Sequence, residues 1–262
     1  MNLRVMTFNL RADCWIDGKN RWRFRKPHVE TLLKEIDADI VGLQEVKLKM
    51  REDLESGLTQ YHWIGHPRTK HPAAEQNTLL ISKRHQVLEQ ETFWLSKNPD
   101  RIGSSIWYSL FPRICTTAKI KLADGQIVRV YNTHLDCYFS PARSYGLKKI
   151  MDYIQSQQEK DPLPVILMGD FNTNPKSPLI QGITNGRWSE QQWVAVQDYD
   201  QTLYTQATMG GFKGRERGLH LDYIFVSPHY QIGKTKIIKN VKEGRYPSDH
   251  YPLLSEIELT TK

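Results

Sequence analysis

The chain has little cysteine: three in 262 residues, Cys14, Cys115 and Cys137, an odd count with no Cys-x-x-Cys pair. That excludes a disulfide scaffold and a paired-cysteine zinc site, and the thiols read as reduced and mostly buried. No apolar run approaches membrane-spanning length. A charged-then-apolar leader is also missing, since the amino terminus runs through Arg4 directly into a strand pattern. The expectation is a cytoplasmic protein without membrane insertion, a leader removed beforehand being invisible to this reading. Repeats at a fixed period, low-complexity tracts and linkers are lacking too, so residues 1–262 are expected to form a single domain. Acidic residues are the minority among the charges, 29 Asp and Glu against 36 Lys and Arg, for a net charge of +7. That balance admits an anionic partner, nucleic acid or a phosphoester, without requiring one. The hydrophobic fraction of 39% and charged fraction of 25% are those of a globular chain that buries a core.

What is present centres on Val165-Ile166-Leu167-Met168-Gly169-Asp170-Phe171-Asn172. Four consecutive apolar residues read as a central strand covered on both faces. Gly169 gives the backbone freedom to turn, and alternation along an extended segment would point Asp170 and Asn172 the same way. A carboxylate and a carboxamide at a sheet rim suit a metal, a water or a phosphate oxygen, although Asp and Asn also serve as turn caps. Ile40-Val41-Gly42-Leu43-Gln44-Glu45 repeats the theme, a buried strand ending on an acid. Parallel strands separated by helices would bring such ends to one rim, where α/β sheets keep their sites.

The rest of the chain has clear local signals. Leu3 to Leu10 reads as a strand with Asn9 at its end. Residues 11–26 are polar, aromatic and basic, and Arg21-Trp22-Arg23-Phe24-Arg25-Lys26 could grip phosphates or form a solvated loop or the first turn of a helix. An amphipathic helix is expected from Pro27, carrying Val29, Leu32, Leu33 and Ile36. Residues 46–60 look helical and exposed, Tyr61–Ile64 and Thr78–Ile81 look like strands, and 65–76 is a loop rich in His, Pro and Lys. Residues 92–113, with Trp94 and Trp107, read as a long loop forming a substrate-facing lip or a cover for a sheet edge. Asp124-Gly125 between two apolar runs is a hairpin signal, and the second run ends at His134. A helix over 142–159 precedes the central strand, and another is expected near 177–185. A basic loop, Lys213 to Arg217, a strand Leu221–Val226, a basic strand 234–239 and a last strand Leu253–Leu259 complete the chain.

In order, the motifs are Thr-Phe-Asn9, Leu-Gln-Glu45, Asn-Thr-His134-Leu, Gly-Asp170-Phe-Asn172, Leu-Asp222-Tyr and Ser-Asp249-His250. This set resembles the endonuclease/exonuclease/phosphatase (DNase I-like) superfamily over nearly the whole chain, and the bacterial subgroup of uncertain substrate in particular. The resemblance implies an α/β four-layer sandwich, two mixed β-sheets face to face with helices outside. It implies a metal site at Glu45 with Asn9 beside it and Asp249 nearby. Asp170 would orient or deprotonate the attacking water, Asn172 would hold the phosphoryl group, and His250, hydrogen-bonded to Asp222, would contact the phosphate. His134 matches the second histidine of some branches. By the same resemblance Glu75 would pair with His134, and Arg113 would bind phosphate.

The implied function is divalent-metal-dependent phosphoester hydrolysis by an activated water, with Mg²⁺, or Mn²⁺ on the same oxygen ligands, neutralising the phosphoester charge. Two histidines each held by a carboxylate are expected to stay protonated near neutral pH. A small-molecule or headgroup phosphoester is expected, in a pocket behind Trp94 and Trp107, hydrolysed by a monomer. The alternatives are a nuclease, from the net charge and the run 21–26, and a non-catalytic phosphate-binding scaffold, against which the complete acid and histidine set argues.

Overall fold

Side-chain parity builds the molecule. In β1 (Asn2–Asn9), Leu3 and Val5 belong to one apolar cluster and Met6 and Phe8 to another, all fully buried. A strand that is apolar on both faces must be covered on both, and this one lies inside a layered sandwich. The structure is a computed structural model and describes residues 1–239, 241 and 244–260.

The strands that follow are β2 (Ile40–Lys47), β3 (Tyr61–Ile64), β4 (Glu75–Ser82), β5 (Gln86–Trp94), β6 (Ile114–Lys121), β7 (Ile127–His134), β8 (Val165–Asp170), β9 (Val194–Ala195), β10 (Asp222–Val226), β11 (Tyr230–Ile237) and β12 (Leu253–Leu259). Among the described residues they form two six-stranded sheets, ordered β11-β12-β1-β2-β4-β3 and β5-β6-β7-β8-β10-β9. Both are mixed: β1 runs parallel to β2 and β7 to β8, while the other pairings are antiparallel. The inner faces meet through Val5, Ile40, Leu79, Val130, Ile166, Met168 and Ile224. Helices α1 (Trp22–Ile36) and α2 (Leu48–Glu55) lie with the outer face of the first sheet, through Val29, Leu33, Met50 and Leu54. On the second sheet, α3 (Ser140–Lys160) and α4 (Pro178–Thr184) bury Leu147, Ile150, Met151, Ile154 and Ile180 against Tyr131, Leu167 and Phe225. The four-layer sandwich is thus present. No described helix is long and apolar enough to cross a membrane.

Several local expectations change. Helix α1 begins at Trp22 rather than Pro27, which sits inside it. Much of the basic run 21–26 is therefore its first turn, with Trp22 and Arg25 buried. The exposed helix expected over 46–60 is only α2, because β2 extends to Lys47. The loop expected to start at residue 92 begins later, because Thr92 to Trp94 close β5, an edge strand with mostly exposed residues and so no apolar pattern to reveal it. The Asp124-Gly125 hairpin is as expected: Leu122 N–H donates to the Gln126 carbonyl and Gly125 has a φ of 90°.

Candidate active site

The two parallel pairs set the site. Parallel pairing carries the ends of β1 and β2 to one rim and the ends of β7 and β8 to the facing rim. Asn9 lies opposite Gln44, and His134 opposite Asp170. Strand β10 runs against β8, so its first residue, Asp222, is opposite Asp170 in the same row. Asp170 and Asp222 have the parity of Met168 and Ile224, so both face the space between the sheets.

Glu45 needs a further device. Val41 and Leu43 face the outer helices, and simple alternation would send residue 45 after them. A bulge intervenes: Leu43 pairs with Thr78 but Val46 with Gln76, one extra residue on β2. Val46 returns to the outer cluster and Glu45 turns inward with a φ of 58°. Left-handed backbone at a glutamate is strained, and such strain recurs at functional sites. At β8, Gly169 has a φ of 147°, and a Cβ there would collide with the Thr133 carbonyl, so only glycine lets β8 approach β7 this closely. The strand stops at Asp170. Asn172 has a φ of 50°, so alternation does not run through it as expected. Its N–H donates to Asp170 Oδ1 at 2.8 Å and its amide to the Leu135 carbonyl at 3.0 Å.

Asp170 Oδ2 is the hub. It accepts from the Asn9 amide at 3.0 Å, with His134 Nε2 at 3.6 Å and His250 Nε2 at 3.8 Å. Burial first, then Asp222, raises this carboxyl to about 7, against His250, Asn9 and the Asn172 N–H. The Asn9 amide also donates to Glu45 Oε1 at 3.0 Å, while the Ala12 N–H donates to Glu45 Oε2 at 2.9 Å. Burial opposes the charge of Glu45; a proton on His134, the Ala12 N–H and the Asn9 amide favour it, and the carboxyl lies below its ordinary value. Asn9 Oδ1 in turn accepts from the Arg11 N–H. Asn9 thus orients two carboxylates through its amide nitrogen, while its Oδ1, accepting one N–H, keeps a second lone pair.

The histidines differ. His250 Nδ1 lies 2.8 Å from Asp222 Oδ2. Burial works against its charge, but Asp222, Asp170 and Asp249 together raise it well above its ordinary value. For His134, burial and then Arg113 push the imidazole well below its ordinary value, with Glu45 opposing. The expectation that both histidines stay protonated therefore holds for His250 alone. Glu75, expected to pair with His134, forms an ion pair with Arg68 at 3.1 Å instead. Arg113 does line a recess with His134, Glu75 and Arg68. Trp94 and Trp107 do not share a pocket: Trp94 is buried, its indole N–H donating to the Arg68 carbonyl, and Trp107 is 94% exposed.

Within the basic run 21–26, Trp22 and Arg25 are internal scaffolding, while Arg23 stays exposed. The Arg25 guanidinium, 1% exposed, donates to the carbonyls of Asn20, Leu10, Arg11 and Pro247. Burial lowers it to about 10, with Asp249 the chief opposing influence. It ties the end of β1 to the Pro247–His250 loop. Ser248 adds a second tie, its hydroxyl donating to the Asn9 carbonyl at 2.6 Å. Arg68 and Ser248 carried no assigned role in the sequence, and Arg25 figured only within the run 21–26. Arg68 has no local signal at all, and Arg25 is hidden because basic residues ordinarily face solvent.

The donor set fits a hard divalent cation. Glu45, Asp170, Asp222 and Asp249 interact electrostatically around two imidazoles, and buried Asp222 Oδ1 has no hydrogen-bond partner among the described residues. Among the described residues, ligand atoms of Asp170, Asp222 and His250 lie within 4.8 Å of one another. The 2.8 Å contact already engages His250 with Asp222, so that trio reads as a hydrogen-bonded relay, and the carboxylate oxygens are the better cation donors.

The model of the Endonuclease/Exonuclease/phosphatase family matches residues 6–250. The chain belongs to this family. Its fold is that of the family protein from Bacteroides vulgatus, 32% identical, with a TM-score of 0.87 over 99% of this chain and 100% of that one. The mannosyl-6-phosphatase of Bacteroides thetaiotaomicron is 25% identical, with a TM-score of 0.88 over 98% of this chain and 100% of that one. Among curated relatives, Protein angel homolog 2 of Bos taurus is 29% identical over 189 residues, 63% of this chain and 32% of its own length. The chain thus spans about a third of that relative. Members of the endonuclease/exonuclease/phosphatase family are phosphoester hydrolases.

Proposed function

We propose that the protein is a divalent-metal-dependent phosphoesterase that hydrolyses a small phosphorylated molecule or headgroup with water as nucleophile. The observation that carries this reading is Asp170. It is a buried carboxyl poised at about 7, held by Asn9, between one imidazole that keeps its proton and one that does not. A carboxylate in that range accepts a proton from water near neutral pH.

In this reading Asp170 orients the water and takes its proton as oxygen attacks phosphorus and the ester P–O bond breaks. His250, kept cationic by Asp222, contacts the phosphoryl oxygens where charge develops. Asn172 and His134 border the phosphoryl group, and Asn9 positions both Asp170 and Glu45. Glu45 and Asp249 would hold the cation, Mg²⁺ or Mn²⁺. When bound it supplies charge neutralisation at the phosphoryl group and the leaving oxygen. We treat residues 1–262 as one functional domain, because the site draws on Asn9 near one end of the chain and on Asp249 and His250 near the other. The likeness to a mannosyl-6-phosphatase over 98% of this chain supports a small substrate, as does the burial of Trp22 and Arg25, which takes two residues of the run 21–26 out of reach of nucleic acid.

The test is phosphate release from a panel of phosphomonoesters and phosphodiesters with Mg²⁺, with EDTA and Asp170→Ala alongside. Release that needs both the cation and Asp170 is expected. Undiminished release from Asp170→Ala would overturn the mechanism.

A nuclease is the second reading, and one observation favours it. The loop bearing exposed Lys213, Arg215 and Arg217 is fastened to the site, since the Gly210 and Gly211 N–H groups both donate to the Asp249 carbonyl. Plasmid nicking that weakens steeply with salt would select this reading, through release of counterions from the nucleic acid.

A further inference from the structure

The His134 side of the site carries two guanidiniums, Arg113 and Arg68, and the first has an unmet need. Arg113 has a side chain only 9% exposed. One of its terminal nitrogens donates to Cys137 Sγ at 3.3 Å, a weak acceptor, and its buried Nε has no hydrogen-bond partner among the described residues. The nearest carboxylate, Asp136, is 3.8 Å from that Nε and is already occupied. It accepts from the Ser109 hydroxyl and from the N–H groups of Tyr138 and Phe139. Buried donors left without partners are rare, and a guanidinium is matched by a planar or tetrahedral oxyanion.

Arg68 stands in the same recess, with Glu75, Asn77 and His134. It is fixed from several directions. Its N–H donates to the Glu75 carbonyl, its own carbonyl accepts the Trp94 indole, and its guanidinium lies 4.6 Å from the Phe111 ring centroid. Its one ion-pair partner among the described residues is Glu75, which leaves further N–H groups of the fork to face the recess.

We propose that Arg68 acts with Arg113 as a two-guanidinium clamp selecting a phosphomonoester dianion over a phosphodiester monoanion. This rests on the phosphoesterase reading and narrows its substrate class. A monoester brings a second negative charge and a third terminal oxygen, and the second guanidinium supplies the matching charge and donors. A diester carries a carbon substituent on that oxygen, which removes its charge, and leaves one fork unanswered.

The experiment compares p-nitrophenyl phosphate with bis(p-nitrophenyl) phosphate, with Mg²⁺, for the wild-type chain, Arg68→Gln and Arg68→Lys. Binding of inorganic phosphate to the metal-free proteins is measured by calorimetry. The wild type is expected to prefer the monoester. Arg68→Gln should lower the monoester-to-diester ratio of kcat/KM by roughly 10²-fold, and Arg68→Lys, which keeps the charge but loses the fork, by about 10-fold. Phosphate binding should weaken in the same order. A ratio unchanged in both variants, or a wild type that prefers the diester, would overturn the clamp and leave the phosphoesterase reading standing. Hydrolysis of neither compound by the wild type would overturn both.

Discussion

The two histidines come from facing rims and approach one oxygen, Asp170 Oδ2, yet their surroundings make them different reagents. His250 has the Asp222 carboxylate at 2.8 Å behind it, and His134 has Arg113 and Arg68 beside it. Both rings are buried, and burial alone would strip both of charge. The carboxylates reverse that for His250, and the guanidiniums reinforce it for His134. A histidine's role is therefore set by the charge of its second neighbour rather than by its place in a motif. The site thus has cationic groups on both sides, a titratable one at His250 and permanent ones at Arg113 and Arg68.

Breaking the Asp222 contact should have the largest effect. Asp222→Asn removes the charge that keeps His250 protonated, and turnover should fall by roughly 10²-fold or more while the fold persists. Single-turnover hydrolysis with a melting curve alongside measures this, and a loss below tenfold would assign His250 no need of its charge.

Arg25→Met attacks the same side through its scaffold. It strands the carbonyls of Asn20, Leu10, Arg11 and Pro247, and should cost about 3 kcal/mol of stability in chemical denaturation. Activity in the surviving folded fraction should also fall, because the Pro247–His250 loop is no longer tied to β1.

A pH titration sharpens the comparison directly. In the metal-free protein, ring-nitrogen NMR should show His250 still protonated at pH 7.5, well above the ordinary range near 6.5. His134 should remain neutral well below that range. The linked stabilities have opposite signs. The raised pKa of His250 contributes stability that is complete below about pH 6.5 and is lost as pH rises through its folded value. The lowered pKa of His134 costs stability as pH falls from about 6.5 toward its folded value. In His134→Gln the acid-side loss should shrink, and in His250→Gln the alkaline-side loss should.

The smallest effect is expected at the outer rim. Lys213→Ala and Arg215→Ala remove exposed charge beside the His250 loop and should change turnover of a small phosphoester by less than about twofold, since solvent screens such charges. A large loss confined to nucleic-acid substrates would move the balance to the nuclease reading.

Much of this arrangement was legible before any coordinates. Asp170, Glu45 and His134 at strand ends, the Asp124-Gly125 hairpin and the apolar face of α3 are local patterns, each written within a few neighbouring residues. What escaped reading was non-local. Strand β5 is an edge strand facing solvent, so it lacks an apolar signature. Trp22 and Arg25 were hidden within a basic run, because basic residues ordinarily face solvent. The pairing of Glu75 with Arg68 rather than His134 depends on how a loop folds back along β4.

The sequence by itself determined which residues end the strands, which faces are apolar and which chemical groups the chain can bring to a rim, because alternation and turn chemistry act over a few residues. Tertiary structure alone decided that Glu45 faces inward, since that depends on one extra residue in the pairing of β2 with β4. It alone decided which of two like histidines carries a proton, since charges act through space on neighbours more than 20 residues away in the chain.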